Sequence, residues 1–169
     1  MAENLPFPTA WHARPASDRN AWIAFRHVAV DVVAQLDADL HRQGGIGFTD
    51  FDALIQLSLA PAGTLRMADL ARAVSRTPSA LTRLVARLED CGVMSRVRHS
   101  ATEVAVSITE KGYAMIEELA PRHLELVDDL FWSPLTDAQT SQMEHLCGKL
   151  IRASDGACIV EPGSRSGKY

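Results

Sequence analysis

The side chains in this sequence best suited to chemistry are a group of cations and hydroxyls: Arg76, Thr77, Ser79, Thr82, Arg83 and Arg87. They lie within the stretch Arg76-Thr-Pro-Ser-Ala-Leu-Thr-Arg-Leu-Val-Ala-Arg-Leu-Glu89. Guanidinium forks match phosphate oxygens or the acceptor edge of guanine, and hydroxyls can donate or accept. Such a set recognises an anionic surface studded with hydrogen-bonding groups. It is not the equipment of an enzyme, and the sequence holds no glycine-rich phosphate loop and no Gly-x-Ser-x-Gly elbow. His27, His41, His123 and His145 show no i, i+4 pairing among themselves, so no metal site and no cofactor is expected.

The element that must carry these residues is a helix. Thr77 is placed to cap it, and Pro78 suits the first helical position because its missing N–H would have had no partner there. At about 100° per residue, Leu81, Leu84, Val85 and Leu88 share one side while Ser79, Thr82, Arg83 and Arg87 share the other. The plainer reading of Arg83 and Arg87, as the solvated face of an ordinary amphipathic helix, is decided by what flanks them. Upstream, Met67-Ala-Asp-Leu-Ala-Arg-Ala-Val74 puts Leu70, Ala71 and Val74 on one face of a short helix, and Ser75-Arg76 makes a tight link. Two helices so joined read as a helix-turn-helix, with the second as a DNA recognition helix. Downstream, Cys91-Gly92 ends the helix, and Val93–Arg98 and Glu103–Ile108 read as a hairpin, a wing. Thr109 then caps a further long helix.

Charge follows the same division. The 169 residues carry a net charge of −4, but residues 64–112 hold eight Lys or Arg against five acids, a local +3, which leaves nine against sixteen, or −7, elsewhere. Basic charge therefore collects around the recognition helix, where phosphate contacts would supply sequence-independent affinity. A winged helix used only for protein contacts, without specific DNA binding, is the alternative reading; it explains the fold but not this concentration.

Long apolar stripes lie on either side. Trp22, Phe25, Ala29, Val32, Leu36 and Leu40 form one along residues 17–43, stopped by Gly44-Gly45. Met115, Ile116, Leu119, Val127, Leu130 and Phe131 form a second, broken near Pro121, where a kink is expected. Thr136-Asp-Ala-Gln139 is a capping box that opens a last helix carrying Met143, Leu146, Leu150 and Ile151. These stripes bury more than a small wing domain can cover, so a homodimer is expected.

Composition, 47% hydrophobic and 22% charged, suits one soluble domain, and three cysteines are too few and scattered for a disulfide framework. With no leader-like segment and no apolar run of ~20 residues, a cytoplasmic protein with no membrane partner is expected. Cys91 reads as a buried inert thiol or, alternatively, a redox sensor.

In this order the residues resemble the MarR family of transcriptional regulators over about residues 17 to 153. The match is carried by Phe48-Thr-Asp-Phe-Asp-Ala-Leu54, Leu70-Ala71, Ser79, Thr82-Arg83, Leu88-Glu89, Gly92-Val93, Arg96 and Ser107-Ile-Thr-Glu-Lys-Gly112. The resemblance implies a mostly α fold with a small β wing. The winged helix-turn-helix spans about 47–110, dimerisation helices span about 17–43 and 110–153, and residues 1–16 and 154–169 are tails. It further implies double-stranded DNA as partner, with Arg76, Thr77, Ser79, Thr82, Arg83, Arg87, Arg96, Arg98 and His99 facing it. A small-molecule effector is implied between the first helix and the winged domain, where Trp22 and Arg26 resemble a pair found in urate-responsive members; their plainer reading is dimer-core packing. One departure stands out. The family's wing carries an Asp-x-Arg whose arginine reaches the minor groove, whereas here the shorter tip is His99-Ser-Ala-Thr-Glu103.

Overall fold

A computed structural model describes residues 9–98 and 104–153. Helices dominate, and their starts follow the caps. After a single turn α1 (Thr9–His12), within the stretch expected to be a tail, comes α2 (Ala16–Gly44), which ends on Gly45 at φ 68°. Next is α3 (Phe48–Leu59), whose first amides are satisfied by acids: Asp37 Oδ1 accepts from Phe48 N at 2.7 Å, and Asp50 Oδ2 from Gly47 N at 3.2 Å. A 3₁₀ turn at Pro61–Gly63 leads to β1 (Thr64–Arg66), then α4 (Met67–Ala73) and α5 (Pro78–Asp90). Thr77 Oγ1 accepts from Ala80 N at 3.3 Å, the expected cap, and Gly92 takes the left-handed stop at φ 75°.

The wing strands are β2 (Met94–Arg98) and β3 (Val104–Ile108). Their hairpin is joined by β1, which pairs antiparallel with β3 (Thr64 opposite Ser107) to give the order β1-β3-β2. This third strand was not anticipated; three residues are too short for a periodicity to show. Thr109 Oγ1 accepts from Gly112 N at 3.1 Å and opens α6 (Glu110–Val127). Gly112 is required there, since a Cβ would collide with the Val93 carbonyl oxygen.

Helix α6 runs on through Pro121 without interruption. Pro121 lies inside α6, and the irregularity comes later, as a π-helical turn at Asp128–Trp132. Proline removes one backbone donor, but the helix around it is pinned: Leu119 is buried so closely under α2 that a Cβ on Gly44 would lie 2.7 Å from its Cδ1. The capping box at Thr136 is realised, with Gln139 Oε1 accepting from Thr136 N at 2.9 Å and Thr136 Oγ1 accepting from Gln139 N at 3.4 Å, and α7 (Asp137–Ala153) follows. Among the described residues no helix is long and apolar enough to cross a membrane.

The core gathers α3, α4, α5 and the sheet. Leu54, Leu57, Leu70, Leu81, Leu88 and Val106 are fully buried, joined by Leu40 from the end of α2 and Leu119 from α6. The leucine face foreseen for α5 (Leu81, Leu84, Val85, Leu88) is the face that is buried. The stripe of the long helices is not covered by the chain itself: Trp22, Phe25, Leu146 and Leu150 are all exposed.

Candidate nucleic-acid interface

Helix α5 presents its polar side outward because its other side is held by the core. Thr77, Ser79, Thr82 and Arg83 are all exposed. The hydroxyls are ordered locally: Thr82 Oγ1 donates to Pro78 O at 2.9 Å, and the Thr77 and Ser79 hydroxyls lie 3.3 Å apart. Arg83 has no hydrogen-bond or ion-pair partner among the described residues, so its five donors are free for a ligand.

The other arginines expected on this face are engaged within the protein. Arg76, just ahead of the cap, donates through Nη2 to Thr49 Oγ1 at the start of α3. Arg87 pairs with Asp50, also at the start of α3, whose side chain is only 8% exposed. Arg96 reaches back from β2 onto α5. Its Nη1 lies 2.6 Å from Glu89 Oε2, its backbone N–H donates to Glu89 Oε1 at 2.8 Å, and Nη2 donates to Thr82 O at 3.4 Å. The backbone of Arg98 pairs with Val104 at the last rung of the wing. His99 and the tip through Glu103 lie outside the described residues.

Helix α3 is therefore the platform on which α5 is mounted, and its outer side is packed by an unusual histidine. His123 of α6 sits against the rings of Phe51 (centroids 4.9 Å apart) and Phe48 (6.2 Å). Burial pushes its pKa down, opposed by the nearby Asp39 carboxylate. Asp39 is itself buried and held by Arg42 and Gln43. Farther along α3, burial pushes the Asp52 carboxyl up, opposed by its hydrogen bond from Gln56.

Between the end of α2, the start of α3 and α5 lies an open cavity of about 590 Å³. His41 and Asp37 line one side of it, and Arg76, Arg83 and Arg87 line the other. Asp37 and His41 escaped the sequence reading, although their i, i+4 spacing on α2 was the available signal; His41 Nδ1 lies 2.9 Å from the Asp37 carbonyl oxygen. Trp22 and Arg26 do not line this cavity. Trp22 is 54% exposed with its ring tilted against Phe25, and the Arg26 guanidinium contacts its neighbour His27 at 3.3 Å. Among the described residues no cluster of His, Cys, Asp and Glu could hold a metal ion. Cys91, foreseen as buried, is exposed at the end of α5, where its carbonyl oxygen accepts from Lys111 Nζ at 2.8 Å. The chain turns at Gly92, φ 75°, so that Val93 rather than Cys91 enters the core.

Comparison with known proteins follows the same lines. The MarR family model matches residues 48–101, from the start of α3 into the wing. The HTH-type transcriptional repressor MdtR of Bacillus subtilis is 28% identical over 112 residues, 64% of this chain and 71% of the relative. Among solved structures, Sco3205, a MarR family transcriptional regulator from Streptomyces coelicolor in complex with DNA, superposes with a TM-score of 0.80 at 24% identity, covering 89% of this chain and 92% of that one. MepR of S. aureus, also in a DNA complex, gives a TM-score of 0.69 at 21% identity over 78% of this chain and 96% of its own. Over residues 48–101 the chain matches the MarR family, and its helix-turn-helix, wing and flanking helices follow in the order of these MarR family structures, so it has their fold.

Proposed function

We propose that this regulator is a sequence-specific DNA-binding homodimer that docks on a near-palindromic operator and is released by a small-molecule effector. The observation that carries the DNA reading is the outer face of α5. Ser79, Thr82 and Arg83 stand in solvent on a helix whose opposite face is sealed by Leu81, Leu84 and Leu88, and Arg83 has no partner among the described residues. A forked cation beside two hydroxyls suits the acceptor edge of a base pair in the major groove. Solved DNA complexes of Sco3205 and MepR support the same reading by likeness of fold.

The dimer is supported by apolar surface that one chain leaves open: Trp22, Phe25, Val28 and Val30 on α2, and Leu146 and Leu150 on α7, are each about half exposed or more. Patches of this size on long helices mark an interface. Two recognition helices related by a two-fold axis enter successive major grooves, so half-sites sit one turn, ~10 bp, apart. The effector reading is supported by the cavity between α2, α3 and α5, because a ligand there would touch the dimerisation and DNA-reading elements together. Such a ligand weakens binding to the extent that it prefers the spacing in which both helices no longer fit.

Selection from a pool of random duplexes tests the function. Enrichment of a two-fold symmetric motif with half-sites about one helical turn apart is the expected outcome. Recovery of duplexes with no shared motif would overturn it and leave the winged helix as a protein-interaction module.

A further inference from the structure

The two residues that open α3 reach opposite ends of the reading helix. Thr49 accepts from Arg76, two positions before Pro78, and Asp50 binds Arg87 in the last turn of α5. Asp50 is a buried charge with both oxygens in use, since Oδ2 takes the Gly47 N–H at 3.2 Å and Oδ1 takes Arg87. Helix α3 is in turn fixed in the core by Phe51, Leu54 and Leu57, which are 2%, 0% and 0% exposed. Arg83 lies between the two held arginines and has no partner among the described residues.

We infer that Arg87 is a positioning residue: it sets the angle of the recognition helix by bridging to buried Asp50, and it does not itself neutralise DNA phosphate. To reach a phosphate, Arg87 would have to leave a carboxylate buried with one backbone N–H as its remaining partner, and stranding a buried charge is among the costlier changes a folded protein can make. An exposed pair such as Arg72–Asp69 carries no such penalty and opens freely. The bridge therefore persists when DNA arrives. A guanidinium already paired in this way releases no counterion from the duplex, so Arg87 acts on affinity through helix position alone. Arg76, held on neutral Thr49, keeps its charge available; Arg83 is free. The reading face is thus a row of cations in which the outermost, Arg87, serves as a strut.

This inference rests on the DNA-binding reading, and one experiment separates the two. Affinity for a duplex obtained by selection is measured as a function of salt for wild type, Arg83→Ala, Arg87→Met, Asp50→Asn and the Asp50→Asn/Arg87→Met double variant, with melting temperatures confirming that each is folded. Arg87→Met and Asp50→Asn should each weaken binding about tenfold, the size common for coupling between sites, and the double variant should be no weaker than the poorer single. The log–log salt slope of Arg87→Met should equal that of wild type, whereas a lost phosphate contact would lower it by about 0.9. A slope reduced by that amount, or Arg87→Met binding as well as wild type, overturns the strut while leaving DNA binding intact. If Asp50→Asn fails to fold, the Arg87→Met slope decides the matter. Absence of salt-dependent duplex binding by the wild-type protein would instead overturn the function itself.

Discussion

In the winged-helix half of the chain, Leu54, Leu57, Leu70, Leu81 and Leu88 all have 0% exposure, whereas in the long helices Val30, Leu146 and Leu150 keep 52–58% of their surface in solvent. A single helix crosses between these regimes. Leu36 and Leu40 at the end of α2 are buried against the core, and Trp22, Phe25 and Val28 nearer its start are exposed. The difference teaches that the chain closes its own core around α3, α4, α5 and the sheet but leaves the apolar stripes of its long helices open. The closed half holds a polar face on a fixed helix, and the open half carries exposed apolar surface of the kind the proposed dimer would cover.

The sharpest way to break this comparison is to charge the open half. Leu146→Glu with Leu150→Glu should abolish the dimer, so that sedimentation shows a species at the 18.4 kDa mass of one chain, or aggregate, where wild type shows twice that mass. A dimer that survives both charges would place the interface elsewhere. Within the closed half, Leu54→Ala should cost about 2–5 kcal/mol in denaturant unfolding because its cavity cannot collapse. Leu59, on the same helix but 71% exposed, should tolerate alanine within about 0.5 kcal/mol. Equal costs at the two positions would mean that the core is not packed as described.

Capping of the reading helix gives a smaller effect. Thr77→Ala removes the oxygen that accepts from Ala80 N and should lower stability by about 1 kcal/mol, with Thr77→Ser recovering most of it. The smallest effect is in pH. Burial holds His123 below its ordinary value of 6.5, so above that pH both folded and unfolded forms are neutral and no penalty exists. As pH falls through 6.5 the unfolded chain takes up a proton that the folded one resists, and stability declines until the folded ring is itself protonated. His123→Phe should flatten this decline in thermal melts taken from neutral pH to about pH 5. An unchanged pH dependence would place its origin in other groups.

What could be read in advance was whatever is local. Thr77, Thr109 and Thr136 each cap the helix they were expected to cap, and Gly45 and Gly92 stop the helices before them, because caps and stops involve atoms within a few residues. The leucine face of α5 followed from a 3.6-residue period alone. Contacts across the fold were not readable. Nothing in the spacing of Asp50 and Arg87, 37 residues apart, announces their bridge. At Pro121 the helix continues despite the proline's low intrinsic preference, since tertiary packing of Leu119 on α2 holds it there.

The central claim, that α5 reads DNA through its free arginine, is tested most directly by titrating wild type and Arg83→Ala against the selected duplex and a scrambled one at fixed salt. The account predicts that Arg83→Ala loses about 1–3 kcal/mol on the selected duplex and discriminates less between the two, while melting at the wild-type temperature. Wild-type affinity and discrimination in Arg83→Ala would contradict it.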